Sequence, residues 1–406
     1  MPSAAEKLNI VVVGAGIAGL AAATALREHN VVVLEQSRLK EEVGAAIHLG
    51  PNASRIALQW GLDMEKLNSP EVHWYHELGF DGSTHFKIPI SVRENFGSPW
   101  LLNHRVDLHN ELKRLATRED GPGKPAELRT ASRVVRIDAD SGELGLENGE
   151  TLKADVIVAA DGIHSVGRTA VLGEQLIAQR SGYSAYRALI PRESLLDNPK
   201  LLYYLDGDEK GTGFCTFMAA DRRLVAYPCR GAQYLNIVAI VPDSEAKESK
   251  EAWHVSGDMG ELLASFSEFC DDAKEILRRA TTCALWQLRE QDPLPTWTKG
   301  KVILIGDAAH AMLPHQGQGG GQAVEDAEAL TVVLPPGTSP ADVPARLELA
   351  EKIRYERASR IQGYSREKAL GPREGEKAVN AQEYAMYNFG YKGAKDWAEK
   401  NGIALP

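Results

Sequence analysis

Four runs of apolar, mostly β-branched residues along this chain each stop at a glycine or an acidic residue. The runs are residues 10–13, 31–34, 156–160 and 302–305. Continuous apolar strands of this kind are typical of a parallel sheet that is covered on both faces. Ligands of such sheets bind at the carboxyl ends of the strands. The pattern therefore predicts an α/β fold with a ligand site where the four runs end.

The first run leads into a phosphate-binding pattern, because Gly14, Gly16 and Gly19 have GxGxxG spacing before an Ala-rich helix. The second run ends in Glu35, and 35 − 14 = 21 residues separate this acid from the first glycine. The helix N-terminus can hold a pyrophosphate while Glu35 accepts hydrogen bonds from a ribose diol. This spacing predicts a dinucleotide site, without separating FAD from NAD.

The other two runs each end in an acid beside a glycine. Asp161 follows the third run, and Asp307 follows the fourth run, ahead of a glycine-rich loop at residues 317–321 that opens a helix. A carboxylate accepts hydrogen bonds from sugar or polyol hydroxyls, and the helix presents N–H groups and a partial positive charge. Reduced flavin has both features that these groups would bind, because its side chain is a polyol and its ring becomes negatively charged. The alternatives are a capping role for Asp161 and an ordinary strand–loop–helix crossover after residue 301.

Residues 181 to about 284 have a different sequence pattern, with short aromatic and β-branched runs separated by Gly, Asp and Pro. They predict an antiparallel sheet inserted into the parallel domain, beside which a substrate cavity would form. Arg187 and Tyr227 are polar groups within these apolar strands. His48 is a third candidate for the cavity, with a surface or helix-capping position as its alternative. The predicted boundaries are 1–70, 100–180 and 285–340 for the parallel domain, 71–99 and 181–284 for the inserted sheet, and 341–406 for a C-terminal helical segment.

The composition narrows the functional classes. The chain has 406 residues and a formal net charge of −10, with Lys and Arg dispersed, so nucleic acid is not an expected partner. The first residues have no apolar signal core, and no run approaches the roughly 18 apolar residues that a membrane span needs. Four cysteines without CxxC spacing indicate reduced thiols and a cytoplasmic setting. His73 and His76 have no third ligand in sight, so no metal is expected.

Three motifs in this order resemble those of one family, namely GAGIAG with Glu35, the segment ADGIHSVGR at 160–168, and GDAAH at 306–310 with Pro314 and the Gln-Gly that follows. From about residue 8 to 370 the chain resembles the group A flavin-dependent aromatic hydroxylases. Salicylate hydroxylase and fungal relatives that hydroxylate or dearomatise phenols in secondary metabolism look most similar. The resemblance implies a para-hydroxybenzoate hydroxylase-like fold, with an FAD-binding Rossmann-like parallel sheet, an inserted antiparallel substrate domain and C-terminal helices.

The same resemblance implies noncovalent FAD, transient reduction by NADPH or NADH, and hydroxylation of an electron-rich aromatic substrate by O₂ through a C4a-hydroperoxyflavin. Arg187 would pair with a substrate phenolate or carboxylate, unless it forms a structural ion pair. Tyr227 and His48 would line the substrate site, and Pro314 would shape the oxygen side of the flavin. The implied cofactor contacts are Gly14, Gly16, Gly19, Glu35, Ala46, Arg105, Asp161, Asp307, Gly317, Gly319 and Gly320. A salt bridge is the alternative for Arg105, which lies just ahead of a predicted helix.

One departure from the family lies at residues 44–46, which read Gly-Ala-Ala where family members often have Gly-Ala-Gly. The backbone of this segment is therefore expected to approach the flavin differently. Two alternatives remain for the function: a flavin-dependent oxidase or dehydrogenase of a small amine or alcohol, and a non-catalytic flavin-binding protein. The chain is expected to be a monomer or a homodimer.

Overall fold

The computed structural model describes residues 6–39, 45–243, 254–370 and 380–406, so Gly44 lies outside the described residues. The strands are β1 Asn9–Val13, β2 Asn30–Leu34, β3 Ala46–Leu49, β4 Trp74–Gly79, β5 Thr84–Pro89, β6 Leu101–His104, β7 Glu127–Arg129, β8 Val134–Asp138, β9 Glu143–Leu146, β10 Thr151–Lys153, β11 Val156–Ala159, β12 Gln179–Pro191, β13 Gly213–Met218, β14 Arg223–Cys229, β15 Tyr234–Pro242, β16 His254–Ser256, β17 Ala284–Glu290, β18 Thr298–Lys299 and β19 Val302–Leu304.

The α-helices are α1 Ile17–Ala25, α2 Pro51–Gln59, α3 Met64–Leu67, α4 Val92–Phe96, α5 Arg105–Thr117, α6 Val166–Leu172, α7 Pro199–Asp206, α8 Met259–Ser265, α9 Asp271–Arg278, α10 Asp307–His310, α11 Gly319–Val333, α12 Val343–Leu370, α13 Ala381–Phe389 and α14 Ala394–Lys400. Short 3-10 helices lie at Gly162–His164, Arg192–Leu195, Pro314–Gln316 and Pro340–Asp342.

All four apolar runs are strands of one six-stranded sheet, in the order β18-β19-β11-β1-β2-β7. Strands β19, β11, β1, β2 and β7 pair in parallel, and β18 pairs antiparallel with β19. Helix α1 packs between α5 and α11 on this sheet, where Leu20 and Val324 are fully buried. Burial on both faces explains why these strands carry no alternating polar residues.

The inserted domain is an eight-stranded sheet in the order β16-β17-β12-β15-β14-β13-β4-β5. Its pairs are antiparallel except that of β13 with β4, which is parallel. Helices α7, α8 and α9 cover one face through Leu201, Leu262 and Ile276. The opposite face is turned toward the parallel domain. The predicted α/β fold with an inserted sheet is confirmed, although the inserted sheet is mixed rather than wholly antiparallel.

The C-terminal part of the described chain packs on the parallel domain. Helix α14 contacts both α11 and α12, and Ala394 and Ala398 on it are fully buried. Within the described ranges, no helix is long and apolar enough to span a lipid bilayer.

Candidate active site

The cofactor motifs predicted from the sequence meet around the first turn of α1. A Cβ built on Gly14, whose φ is +97°, would lie 2.5 Å from the carbonyl oxygen of Ala160. A Cβ built on Gly306, whose φ is +59°, would lie 2.7 Å from the Cβ of Ala18. Both positions combine a left-handed backbone with a close approach, so both require glycine. The strand ends of β1, β11 and β19 therefore enclose one site.

Arg168 connects the Asp161 turn and the Asp307 turn through hydrogen bonds. Its buried guanidinium donates to the carbonyl oxygens of Ile163 (3.0 Å), Asp307 (2.9 Å) and Ala308 (2.9 Å). Backbone carbonyls that would otherwise be unsatisfied at two separate turns thus share one side chain. The sequence placed Arg168 near this motif but did not reveal that it bridges the two turns.

Two helix N-termini open onto the site without a side-chain cap. The residue before α1 is Gly16 and the residue before α11 is Gln318, and neither makes a capping hydrogen bond. A Cβ built on Gly16 or on Gly319 would meet no atom within 4 Å, so both turns are open to a ligand. The helices have nine and fifteen residues, and each directs orphan N–H groups and a partial positive charge outward. One N-terminus suits a pyrophosphate, and the other suits an anionic ring.

Two of the predicted acids have carboxylate capacity left for a ligand. Glu35 accepts hydrogen bonds from the backbone N–H groups of Ala15 (2.8 Å) and Ser37 (2.7 Å), one on each oxygen. Each carboxylate oxygen has a second lone pair for a ribose hydroxyl. The Asp307 side chain is exposed at the cleft and has no hydrogen bond or ion pair with another described residue. Desolvation by the surrounding protein raises the pKa of Asp307. Electrostatic interactions with His310 and Arg168 lower it and partly offset this rise.

Asp161 has a different environment. Its carboxylate accepts hydrogen bonds from the Ser165 hydroxyl and from the backbone N–H groups of Val166 (2.7 Å) and Gly167 (3.1 Å). These bonds cap helix α6, which is the capping role considered from the sequence. Burial raises the pKa of this carboxyl, and the capping hydrogen bonds lower it. The contact of Asp161 with a nucleotide stays a prediction.

An aromatic cluster surrounds His48 between the two domains. The indole N–H of Trp100 donates to Nδ1 of His48 at 3.0 Å, so the ring proton of the neutral imidazole is on Nε2. The His48 ring centroid lies 5.2 Å from that of Phe214, and the Phe214 and Tyr227 centroids are 4.6 Å apart. Burial lowers the pKa of His48 to about 4. His48 is therefore half-buried within this aromatic cluster, and the cap of the following helix is Gly50 rather than His48.

The glycine-rich loop lies directly against this cluster. A Cβ built on Gly317, whose φ is +60°, would fall 1.7 Å from Nε2 of His48. A Cβ built on Gly320 would fall 2.9 Å from the side chain of Ile47. The backbone N–H of Ala46 donates to Asn236 of the inserted sheet at 3.1 Å, so it is not available to a flavin in this arrangement. The predicted cofactor loop and the aromatic cluster thus share one wall.

Arg187 projects from β12 on the sheet face that carries Tyr227. Its guanidinium lies 5.3 Å from the Trp286 ring centroid, and its Nε is buried without a hydrogen-bond partner. Among the residues that the structure describes, no carboxylate pairs with it, so the structural ion pair considered from the sequence is not found there. Burial lowers the pKa of Arg187, Tyr227 raises it, and the nearby Arg105 lowers it further.

Arg105 and Pro314 occupy positions at the edges of the same region. Arg105 is the first residue of α5, and its backbone N–H donates to the carbonyl oxygen of Ala45 at 2.8 Å. Pro314 begins the short 3-10 helix that leads to Gly317, and it is half-buried.

The residues present fit FAD, because a glycine cradle, two uncapped helix ends and two acids with free lone pairs surround a single cleft.

Known proteins are similar to this chain along nearly its full length. A family model described as an FAD binding domain matches residues 7–362. The chain belongs to this FAD-binding family. The flavoprotein is 36% identical to an FAD-dependent monooxygenase of Aspergillus candidus over 363 residues, which cover 87% of this chain and 84% of that protein. It is also 36% identical to hispidin-3-hydroxylase of Neonothopanus nambi over 389 residues, covering 92% and 91%.

A solved structure of a salicylate hydroxylase substrate complex superposes on the flavoprotein with a TM-score of 0.77 at 28% identity, and 98% of each chain is covered. The predicted resemblance to flavin-dependent aromatic hydroxylases is therefore confirmed at the level of the family and the fold. The chain is an FAD-dependent monooxygenase.

The flavoprotein also contains a buried ionic network that sequence reasoning missed. Arg357 donates to both carboxylate oxygens of Glu325, at 2.7 and 2.9 Å, and Arg354 bridges Glu325 (2.6 Å) and Asp326 (2.9 Å). Asp326 also accepts from the backbone N–H of Gly306 at 2.9 Å. The network thus connects α12, α11 and the Asp307 turn. The signal in the sequence was two adjacent acids inside an apolar helix, together with arginines three residues apart on another helix.

Proposed function

We propose that this FAD-dependent monooxygenase hydroxylates an electron-rich aromatic ring that carries a phenolate or a carboxylate, with NADH or NADPH as the reductant. The observation that supports this most is the half-buried Arg187, whose Nε is buried without a hydrogen-bond partner and which has no carboxylate partner among the described residues. A charge that is partly removed from water without a partner is costly, so a ligand anion is the natural partner. Tyr227 stands on the same face to hydrogen-bond that anion.

The aromatic cluster supports a flat, unsaturated substrate. Trp100, Phe214 and Tyr227 present ring faces and edges around His48, an arrangement that favours another aromatic ring by offset or edge-to-face packing. The neutral His48 adds no charge to compete with Arg187 for the anion. The relatives whose names specify a substrate, such as hispidin-3-hydroxylase and salicylate hydroxylase, are consistent with this class.

Each part of the site has a distinct task in the proposed reaction. When bound and reduced by NADH or NADPH, FAD would activate O₂, one atom of which is transferred to the substrate while the other leaves as water. Glu35 and Asp307 would hold its ribose and ribityl hydroxyls, and the N–H groups at the start of α11 would stabilise negative charge on its ring. Arg187 keeps the substrate oxygen anionic, which enriches the ring carbon that accepts oxygen. The aromatic walls orient the ring and exclude water.

The experiment that tests this proposal is a screen of phenols, salicylates and indoles for stimulated NADH and NADPH oxidation by the purified yellow protein. The expected result is substrate-dependent nicotinamide oxidation with a product heavier by one oxygen atom, which carries label from ¹⁸O₂. A product that shows oxygen addition together with loss of CO₂ would identify a carboxylated substrate. Turnover of an amine or alcohol without any nicotinamide would contradict the proposal and support an oxidase.

We also propose that the protein works in a reducing compartment such as the cytoplasm. In the described part of the chain the four cysteines are free, and Cys215, Cys229 and Cys283 are buried. Burial raises the pKa of each buried thiol, to about 11 for Cys283 and to about 12 for Cys229, so none is activated. Mass spectrometry with and without alkylation under native conditions checks that the thiols are reduced.

A further inference from the structure

The last turn of α13 reaches the substrate side of the site, which the motifs alone do not assign to the C-terminal segment. We propose that Asn388 and Phe389 are positioning residues that set the shape of the aromatic substrate site through Gln316 and Trp100. This inference rests on the proposed function, because it assigns a substrate-shaping role to residues behind the proposed site.

The C-terminal segment is anchored firmly enough to act in this way. The guanidinium of Arg357 donates to the carbonyl oxygens of Tyr387 (2.8 Å) and Asn388 (2.9 Å) while it pairs with Glu325. The guanidinium also lies 4.5 Å from the ring centroid of Tyr391. Because Arg357 is fully buried and its donors are shared between Glu325 and two carbonyls, the end of α13 has a defined position relative to α11.

Asn388 acts on the cofactor loop. Its side chain is 2% exposed, and its Nδ2 donates to Oε1 of Gln316 at 3.2 Å. Gln316 is the last residue of the 3-10 helix Pro314–Gln316, directly before Gly317, which lies against His48. The hydrogen bond therefore connects the C-terminal segment to the loop that forms the shared wall of the cofactor and substrate sites.

Phe389 acts on the aromatic cluster. Its ring centroid lies 5.0 Å from that of Trp100, and a Cβ built on Gly50 would fall 2.8 Å from the Phe389 ring, so the ring is tightly enclosed. Trp100 in turn donates its indole N–H to His48 and lies 5.2 Å from Phe214. Phe389 thus packs behind Trp100, the residue that orients His48. Without the Phe389 ring, Trp100 can move away from the cluster, and the substrate ring then loses a packing contact.

The test compares Phe389→Ala with Phe389→Leu, which keeps an apolar side chain behind Trp100. The control is Met386→Ala on the same helix, because Met386 is 57% exposed. Three quantities are measured on each holoenzyme: the flavin-to-protein ratio, the Kd of a phenolic ligand from the change in flavin absorbance, and KM and kcat. For Phe389→Ala we expect Kd and KM to rise about 10-fold while kcat changes by less than about 3-fold, since ground-state positioning is lost.

In the same experiment Phe389→Leu should recover ligand affinity to within about 3-fold of the parent, and Met386→Ala should match the parent. Asn388→Ala is a second, independent variant that should also weaken ligand binding while it retains flavin. Unchanged Kd and KM in Phe389→Ala would overturn the inference and leave the proposed function intact. Parallel loss of flavin and of melting temperature, without recovery in Phe389→Leu, would overturn it in favour of a purely structural role. Failure of the parent enzyme to turn over any phenol would instead count against the proposed function.

Discussion

Replacing Arg187 by Met separates a substrate-binding role from a structural role because the two roles predict opposite changes in stability. The guanidinium has no ion pair with another described residue, and its identified packing contact is the Trp286 ring at 5.3 Å. Losing that cation–π contact costs about 0.5–2 kcal/mol. Removing a half-buried unpaired charge offsets this cost, since the charge no longer has to be partly desolvated. We therefore expect a melting temperature close to that of the parent, or slightly higher.

The effect of Arg187→Met on catalysis should be much larger than its effect on folding. A hydrogen bond to a charged group contributes about 1.5–3 kcal/mol, which corresponds to a loss of about 10- to 150-fold in kcat/KM. Arg187→Lys keeps the charge but loses the planar fork, so its loss should be smaller but still measurable. The matched control is Arg192→Met, at an arginine near the end of the same strand whose partner is Asp206 at the surface.

The assay records flavin occupancy, melting temperature and substrate-stimulated NAD(P)H oxidation on the same preparations. Full flavin occupancy is expected in both Arg187 variants, because other segments hold the cofactor. A fall of several degrees in melting temperature, with kcat/KM per folded molecule preserved, would show that Arg187 is a structural residue. That result would remove the principal support for an anionic aromatic substrate.

Three further predictions concern the shared site. Asp307→Asn should weaken FAD binding by about 10- to 150-fold, because the ribityl hydroxyls lose a charged acceptor; an unchanged Kd on titration of apoprotein would contradict this. Gly317→Ala should sharply reduce ligand binding, because the new Cβ would fall 1.7 Å from His48 on a backbone with φ of +60°, and ligand titration of the flavin spectrum measures it. The pKa of His48 falls from its usual 6.5 to about 4 on folding, so its stabilising contribution is complete above pH 6.5 and is lost as the pH falls toward 4. As the pH is lowered from 8 to 4, the melting temperature of His48→Gln should therefore fall less steeply than that of the parent.

The cofactor half of the site could be predicted from the sequence because its signals are local. Gly14, Gly16 and Glu35 are separated by spacings that a strand, a tight turn and a helix impose, and such geometry is encoded within about thirty residues. The same holds for Asp307, which follows an apolar strand and precedes a glycine-rich helix start. The hydrophobic period of each strand also indicated the parallel sheet and the inserted sheet. Local backbone chemistry was sufficient for these features.

Only the tertiary structure decided which distant residues meet. His48, Phe214 and Tyr227 come from three strands and Trp100 directly precedes a fourth, and no periodicity in the chain shows that their rings form one cluster. The parallel pairing of β13 with β4 was likewise invisible, because either strand alone has the pattern of an ordinary sheet strand.

The charged residues illustrate the same physical limit. Glu325 and Arg357 look in the sequence like solvated helix charges, but they are fully buried because each neutralises the other in the interior. Arg187 lies instead in an apolar strand, and it has no carboxylate partner in the described chain. A side chain's sequence neighbours set its local conformation, whereas the desolvation and pairing of its charge depend on residues brought near by folding. The sequence by itself therefore determined the cofactor and the architecture, and the packing of distant segments decided which charges are paired.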